Sequence, residues 1–199
     1  MISTDQHWDA IYDRALINDS APLNCAEVLR ENAFLLPPKG KALDIACGMG
    51  ANATFLARHG LAVTAVDISK VAIDKLSAYA SCNALDINAY DQNIDPNSIH
   101  KCAFDVIVVS RFLDRRLSDA IIDALKPDGL LFYQTFTKEK TTPTSPNNPD
   151  YLLNRNELLI LFSSLQVILY RENGLVGLPS IGLRNQAQFI GQKYINKTS

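Results

Sequence analysis

No pair of cysteines stands at the spacing of a redox or zinc motif: Cys25, Cys47, Cys82 and Cys102 are scattered, with no histidine cluster beside them. That excludes a disulfide framework, writes no metal site and suits four free thiols in a reducing compartment. A basic excess is missing too. Nineteen Lys and Arg face 21 Asp and Glu, a formal net charge of -2, whereas a protein built to track a phosphate backbone carries surplus cations. The balance argues against a nucleic-acid partner. No apolar run approaches the ~20 residues of a membrane helix. Residues 1–6 lack the basic segment and apolar stretch of a secretory leader. These absences leave a soluble, cytoplasmic chain, and 199 residues suit a single domain large enough to hold itself together without staples.

What is present is an alternation of short apolar strands and amphipathic helices. Asn24-Cys25-Ala26-Glu27 reads as a capped helix start continuing to Ala33, stopped by Pro37-Pro38. Strands are expected over 42–46, 61–66, 84–87, 104–109 and 130–136, with helices over 51–59, from Ser69 through Ala80, and around 117–125. Segment 104–109 is the strongest strand, apolar on both faces after Asp105, and such strands belong to parallel sheets covered on both sides. The polar segment 137–150 holds three prolines and reads as a loop, followed by a helix over 154–163 and strands over 165–171 and 187–194. The link between those last strands leaves no room for a crossover helix, so they are expected to pair as an antiparallel hairpin. The fold class is α/β: a doubly wound, Rossmann-like seven-stranded sheet, mostly parallel, with an antiparallel C-terminal hairpin. Within the single domain, 1–39 forms leading helices that can serve as a lid. Residues 40–136 form the cofactor-binding core, and 137–199 the lid loop, helix and edge hairpin.

In an open sheet of this kind ligands bind beyond the carboxyl ends of the strands. There the sequence places Leu43-Asp44-Ile45-Ala46-Cys47-Gly48-Met49-Gly50, a strand running into a glycine turn and a helix. Gly48 and Gly50 admit positive φ and let a ligand lie on the backbone. Asp67 ends the next strand, 19 residues beyond Gly48, at the place where a carboxylate accepts from both hydroxyls of a ribose. Gly48-Met49-Gly50-Ala51-Asn52-Ala53 also fits a dinucleotide pattern. Asp44 decides against it: an acid four residues before the first glycine repels a pyrophosphate and suits an ammonium group. S-adenosylmethionine, with its sulfonium and α-amino groups, meets that requirement.

The 43–50 segment resembles the first motif of class I S-adenosylmethionine-dependent methyltransferases, and Val63-Thr64-Ala65-Val66-Asp67-Ile68-Ser69 resembles their second-strand acidic motif. Within that superfamily the chain is similar to the small, tellurite-resistance-like methyltransferase-domain proteins. Phe104-Asp105-Val106-Ile107-Val108-Val109-Ser110-Arg111-Phe112-Leu113 and Asn148-Pro149-Asp150-Tyr151-Leu152-Leu153 carry that likeness. The resemblance implies S-adenosylmethionine as methyl donor and S-adenosylhomocysteine as product, without a metal. It puts Asp44, Ala46, Gly48 and Gly50 around the methionine part and Asp67 on the ribose. Ile68 and Ile87 fall beside the adenine, Asp86 on its amino group, and the Ser110 backbone near the methionine amino group. Substrate-side candidates are Arg111 and Tyr133, then Asp114 and Tyr12. Trp8 and Tyr12 suit packing of the first helix as well as they suit a lid. Arg111, Arg115 and Arg116 fit a solvated helix start better than an anion site. His59 reads as structural at a helix end, and His7 and His100 have no ligand partners in sequence. The acidic balance favours a small-molecule acceptor. An RNA or protein acceptor, or a non-catalytic S-adenosylmethionine binder, remains the alternative.

Overall fold

A computed structural model describes residues 4–13 and 25–194. In chain order the strands are β1 (Gly40–Ile45), β2 (Leu61–Asp67), β3 (Ile87–Asp91), β4 (Phe104–Ser110), β5 (Leu125–Phe136), β6 (Gln166–Glu172) and β7 (Gln186–Gln192). The helices are α1 (Thr4–Asp13), α2 (Glu27–Glu31), α3 (Ala51–Arg58), α4 (Lys70–Cys82), α5 (Ser118–Ala124) and α6 (Glu157–Leu161). All seven strands form one sheet in the order β3-β2-β1-β4-β5-β7-β6. The first five are parallel; β7 runs antiparallel between β5 and β6. Reversal of strand order beside β1 makes the crevice at its carboxyl end the natural ligand site.

The two-residue period of the strands divides the core. Ala42, Val106, Val108, Phe132 and Ile190 face α2, α3 and α4 through Val28, Leu29, Leu56 and Leu76. Leu43, Ile45, Ile107, Val109, Leu131 and Tyr133 face α5 and α6 through Leu117, Ile121, Leu158 and Phe162. β4 is apolar on both faces because it lies between these two cores. Between β3 and β4 only a 3-10 turn, Pro96–Ser98, stands where a covering helix would be. A cleft of about 370 Å³ consequently opens against Leu43, Val66, Tyr90 and Phe104.

Four elements depart from the sequence reading. The third strand begins at Ile87 instead of ending there, because Val63 pairs with Ile87 and Asp67 with Asp91. The expected Asn24 cap lies outside the described residues, and α2 is a short helix followed by a 3-10 turn, Ala33–Leu35. The turn expected at 126–129 is an irregularity within β5, where the pairing with β4 shifts register. The helix after the long loop shrinks to Glu157–Leu161. Asn156 in the left-handed region precedes it, and the Glu157 carboxylate folds back onto the Asn154 N–H at 2.6 Å.

Candidate active site

β1 and β2 end side by side, and each delivers a carboxylate to the same crevice. Asp44 is fully buried; its oxygens accept from the Ala53 N–H at 3.0 Å and the Asn52 side-chain amide at 3.4 Å. Asp67 is buried and accepts from the Gly48 N–H at 2.7 Å and the Ser69 N–H at 2.9 Å. Among the described residues neither acid has a lysine or arginine as an ion-pair partner. Desolvation lifts the Asp44 pKa to about 7, against the two hydrogen bonds; the Asp67 charge adds to the rise. Desolvation likewise raises Asp67, against bonds from the Ser69, Gly48 and Ile68 backbone. Cys47, buried between them, is held as a thiol by burial and by both acids. The crevice therefore holds two buried carboxyl groups that, among the described residues, no lysine or arginine pairs with.

The two glycines differ in purpose. Gly48 has φ +52, and a Cβ on it would stand 2.7 Å from the Tyr12 hydroxyl. Gly50, at φ +79, precedes α3, and a Cβ there would collide with the Leu76 side chain of α4. Gly48 thus presents its bare α-carbon to the crevice, while Gly50 makes room for helix packing. Ala46, at φ +54, and Ile68 are both half-buried on the same rim.

Above Gly48 lies α1. The Asp9 carboxylate accepts from the Ser69 hydroxyl at 2.5 Å and the Val71 N–H at 3.2 Å, docking α1 on the start of α4. The Lys75 ammonium donates to the Tyr12 and Asp13 carbonyls at 2.6 and 3.2 Å. Trp8 stacks on Tyr12 with ring centroids 5.9 Å apart. Burial, Asp67 and Cys47 push the Tyr12 pKa up, and Arg111 opposes them. The first helix packs as a cover over the crevice.

Ser110 ends β4 in the same crevice, but its hydroxyl is engaged by the Asn52 amide at 2.9 Å. Asn52 also accepts the Ala26 N–H at 2.8 Å. On β5 the residue that reaches this side is Gln134, not Tyr133. The Gln134 carbonyl oxygen of the side chain accepts from the Val28 N–H at 2.9 Å and from Gln188 at 3.3 Å. Asn52 and Gln134 together satisfy the first amides of α2, doing the work of an N-cap from across the core. The sequence reading missed Asn52, Gln134 and Gln188. Their signal was polarity within apolar stretches, since a buried amide in a strand or helix face must have partners.

Three candidates fall elsewhere. Tyr133 points to the opposite core, 2% exposed, where its hydroxyl donates to the Phe112 carbonyl at 3.0 Å. Burial raises its pKa, and it is a packing residue. Asp86 and Ile87 sit at the beginning of β3, the end remote from the crevice. Asp91 and Gln92 occupy the end level with Asp67, whose carbonyl accepts the Gln92 N–H at 2.9 Å. Of the three arginines, Arg115 pairs with Glu157 at 2.5 Å and Arg116 with Asp114 at 2.6 Å. Arg111 holds only its backbone, N–H to the Gln134 carbonyl at 2.8 Å with φ +55, and leaves its side chain beside Tyr12. His59 bonds to the Phe55 carbonyl at 2.8 Å, as a structural histidine would.

Residues 42–129 match a family model described as a methyltransferase domain. Over those residues the chain is similar to a methyltransferase domain. Over 106 residues it is 34% identical to the ubiquinone biosynthesis O-methyltransferase of Coxiella burnetii, an alignment covering 50% of this chain and 45% of that one. The chain thus spans about half the length of the curated relatives it matches. TehB from Haemophilus influenzae superposes on this chain with a TM-score of 0.68. The identity there is 20%, covering 95% of this chain and 66% of that one. A protein solved in work on converting a disulfide bond into a thioacetal group during echinomycin biosynthesis gives 0.69. Its identity is 20%, with 98% and 95% covered. At such identities the two structures show a shared fold alone. No described helix is long and apolar enough to cross a membrane.

Proposed function

We propose that the chain is an S-adenosylmethionine-dependent methyltransferase acting on a small molecule. One observation carries the reading: two buried carboxylates, Asp44 and Asp67, flank the bare α-carbon of Gly48 and lack a cationic partner among the described residues. The chemistry of that donor set fits the group. A cationic methionine end answers Asp44, and a ribose answers Asp67, whose two oxygens offer about four acceptor sites against three backbone N–H groups. Ala46 and Gly48 would line the methionine part, Ser110 its amino group, and Ile68 the adenine face. Asp91 or Gln92 takes the adenine role expected of Asp86. When bound, S-adenosylmethionine supplies an activated methyl group whose transfer leaves the sulfur electron pair behind as a neutral thioether.

The protein's own contribution is orientation and exclusion of water. Asn52 holds Asp44, Ser110 and the start of α2 in one arrangement, and α1 with Tyr12 closes the crevice from above. Residues 40–136 serve as the cofactor core of a single domain, with α1 and the 137–199 segment on the acceptor side. The four cysteines are free, as a reducing cytoplasm keeps them. Calorimetric titration with S-adenosylmethionine and, separately, NAD tests the reading. Binding of the first without the second is expected; binding of NAD alone would overturn it.

A further inference from the structure

Loop 137–150 and the β6–β7 connection border a second, open cleft of about 580 Å³ at the carboxyl end of β5, a volume within the range of small-molecule sites. Its wall carries Glu27 from the first turn of α2 and Arg171 from β6, with the hydroxyls of Thr141, Thr142 and Ser180. These two opposite charges do not pair with one another. The Arg171 guanidinium has neither a hydrogen bond nor an ion pair among the described residues.

The rest of the wall is spent on holding itself together. Arg184 donates to the Ile181, Gly174 and Leu178 carbonyls at 2.8, 2.9 and 2.6 Å, which fixes the β6–β7 connection. The Asn185 side chain accepts the Thr141 N–H at 2.7 Å and donates to the Thr142 hydroxyl at 3.0 Å, joining the two loops. A cleft whose loops are held by internal bonds, while a guanidinium without a partner among the described residues and a carboxylate face into it, is arranged for a ligand with an anionic end and a hydrogen-bond donor.

Glu27 links this cleft to the cofactor crevice. Its neighbours Ala26 and Val28 donate their N–H groups to Asn52 and Gln134, and Asn52 in turn holds Asp44. Gln188 donates to both Glu27 and Gln134, each at 3.3 Å. Arg171 lies on β6, separated from β5 by β7 alone. Arg171 stands opposite Gln188 in the β6–β7 pairing, and Gln188 reaches Glu27, which brings the two charges to one cleft.

We infer that this cleft is the acceptor site, taking a small molecule whose carboxylate sits on Arg171 and whose hydroxyl or amine hydrogen is accepted by Glu27. The acceptor role rests on the methyl-transfer reading; the acid site itself does not. The test titrates the protein with 4-hydroxyphenylacetate and with its neutral amide, followed by protein NMR and calorimetry. The acid is expected to bind at least tenfold tighter than the amide. Arg171→Gln should erase that preference and leave S-adenosylmethionine affinity within about twofold. The Arg171 side chain makes no hydrogen bond or ion pair among the described residues, so the variant keeps its fold. Glu27→Gln should weaken acid and amide alike. Equal affinity for the two probes, a preference that survives Arg171→Gln, or no acid binding by protein that binds S-adenosylmethionine would each overturn the site. Acid binding through Arg171 by protein that does not take S-adenosylmethionine would overturn the methyl-transfer reading and leave the acid site in place.

Discussion

The Tyr12 hydroxyl stands over the α-carbon of Gly48, where a methyl group would come within 2.7 Å of it. Gly48→Ala therefore strains a φ of +52 and lifts α1 from the crevice at once. We expect at least a tenfold loss of S-adenosylmethionine affinity by calorimetry. Trp8, the single tryptophan, stacks on Tyr12 and reports the helix. Its emission should shift to the red in the variant without any ligand; unchanged emission would detach Tyr12 from the crevice.

Asp44 makes the unliganded protein pH-sensitive. Its folded pKa, about 7, exceeds its ordinary 3.8, so between these values the folded state binds the extra proton and stability falls as pH rises. The slope is at most about 1.4 kcal/mol per pH unit for one group; Asp67 shifts in the same direction. Scanning calorimetry should show Tm dropping from pH 5 to pH 8, with a shallower drop in Asp44→Asn. A cation arriving at Asp44 favours its charged form, so cofactor binding between pH 5.5 and 7 should release a proton, visible as buffer-dependent heat. Identical slopes in both proteins would remove Asp44 as the source.

Replacing Asp67 with alanine removes the proposed ribose acceptor and leaves the Gly48 and Ser69 amides unsatisfied. Loss of stability by about 1–3 kcal/mol is expected from each buried donor left alone. Affinity for S-adenosylmethionine, measured below the lowered Tm, should fall by ten- to a hundredfold. Unchanged affinity would refute the ribose role.

Tyr133→Phe separates a packing residue from a reacting one. The lost hydrogen bond to Phe112 should cost about 1 kcal/mol, read by urea denaturation. Turnover with any accepted substrate should stay within about twofold of wild type; a tenfold fall would restore Tyr133 to the site.

Deletion of residues 141–147 removes the Thr141 and Thr142 anchors of the acceptor cleft and leaves the crevice intact. Turnover should fall by more than tenfold while S-adenosylmethionine affinity changes little. Equal loss of both, with the fold retained, would place the loop in cofactor binding instead.

Much of the sheet was legible because its strands are short and apolar and its turns carry glycine or proline. The order of helices and strands, the terminal hairpin, Asp44 and Asp67 all follow from local pattern. β3 lies three to four residues further along than its pattern suggests because Ile87–Asp91 is a half-exposed edge strand, whose alternation is weak and whose register comes from pairing with β2. That single slip carried Asp86 and Ile87 to the wrong end of the sheet.

The sequence by itself determined the fold class and the two acids at the carboxyl ends of β1 and β2. A strand's end and a glycine turn are written in neighbouring residues. Only the tertiary structure decided that Gln134 faces the site and Tyr133 does not, that Gly50 yields to Leu76 while Gly48 faces Tyr12, and that Arg171 meets Glu27 across one cleft. Those outcomes depend on which face each strand turns inward and on which distant elements pack there. Contacts between residues as far apart as Val28 and Gln134 leave no mark on local spacing.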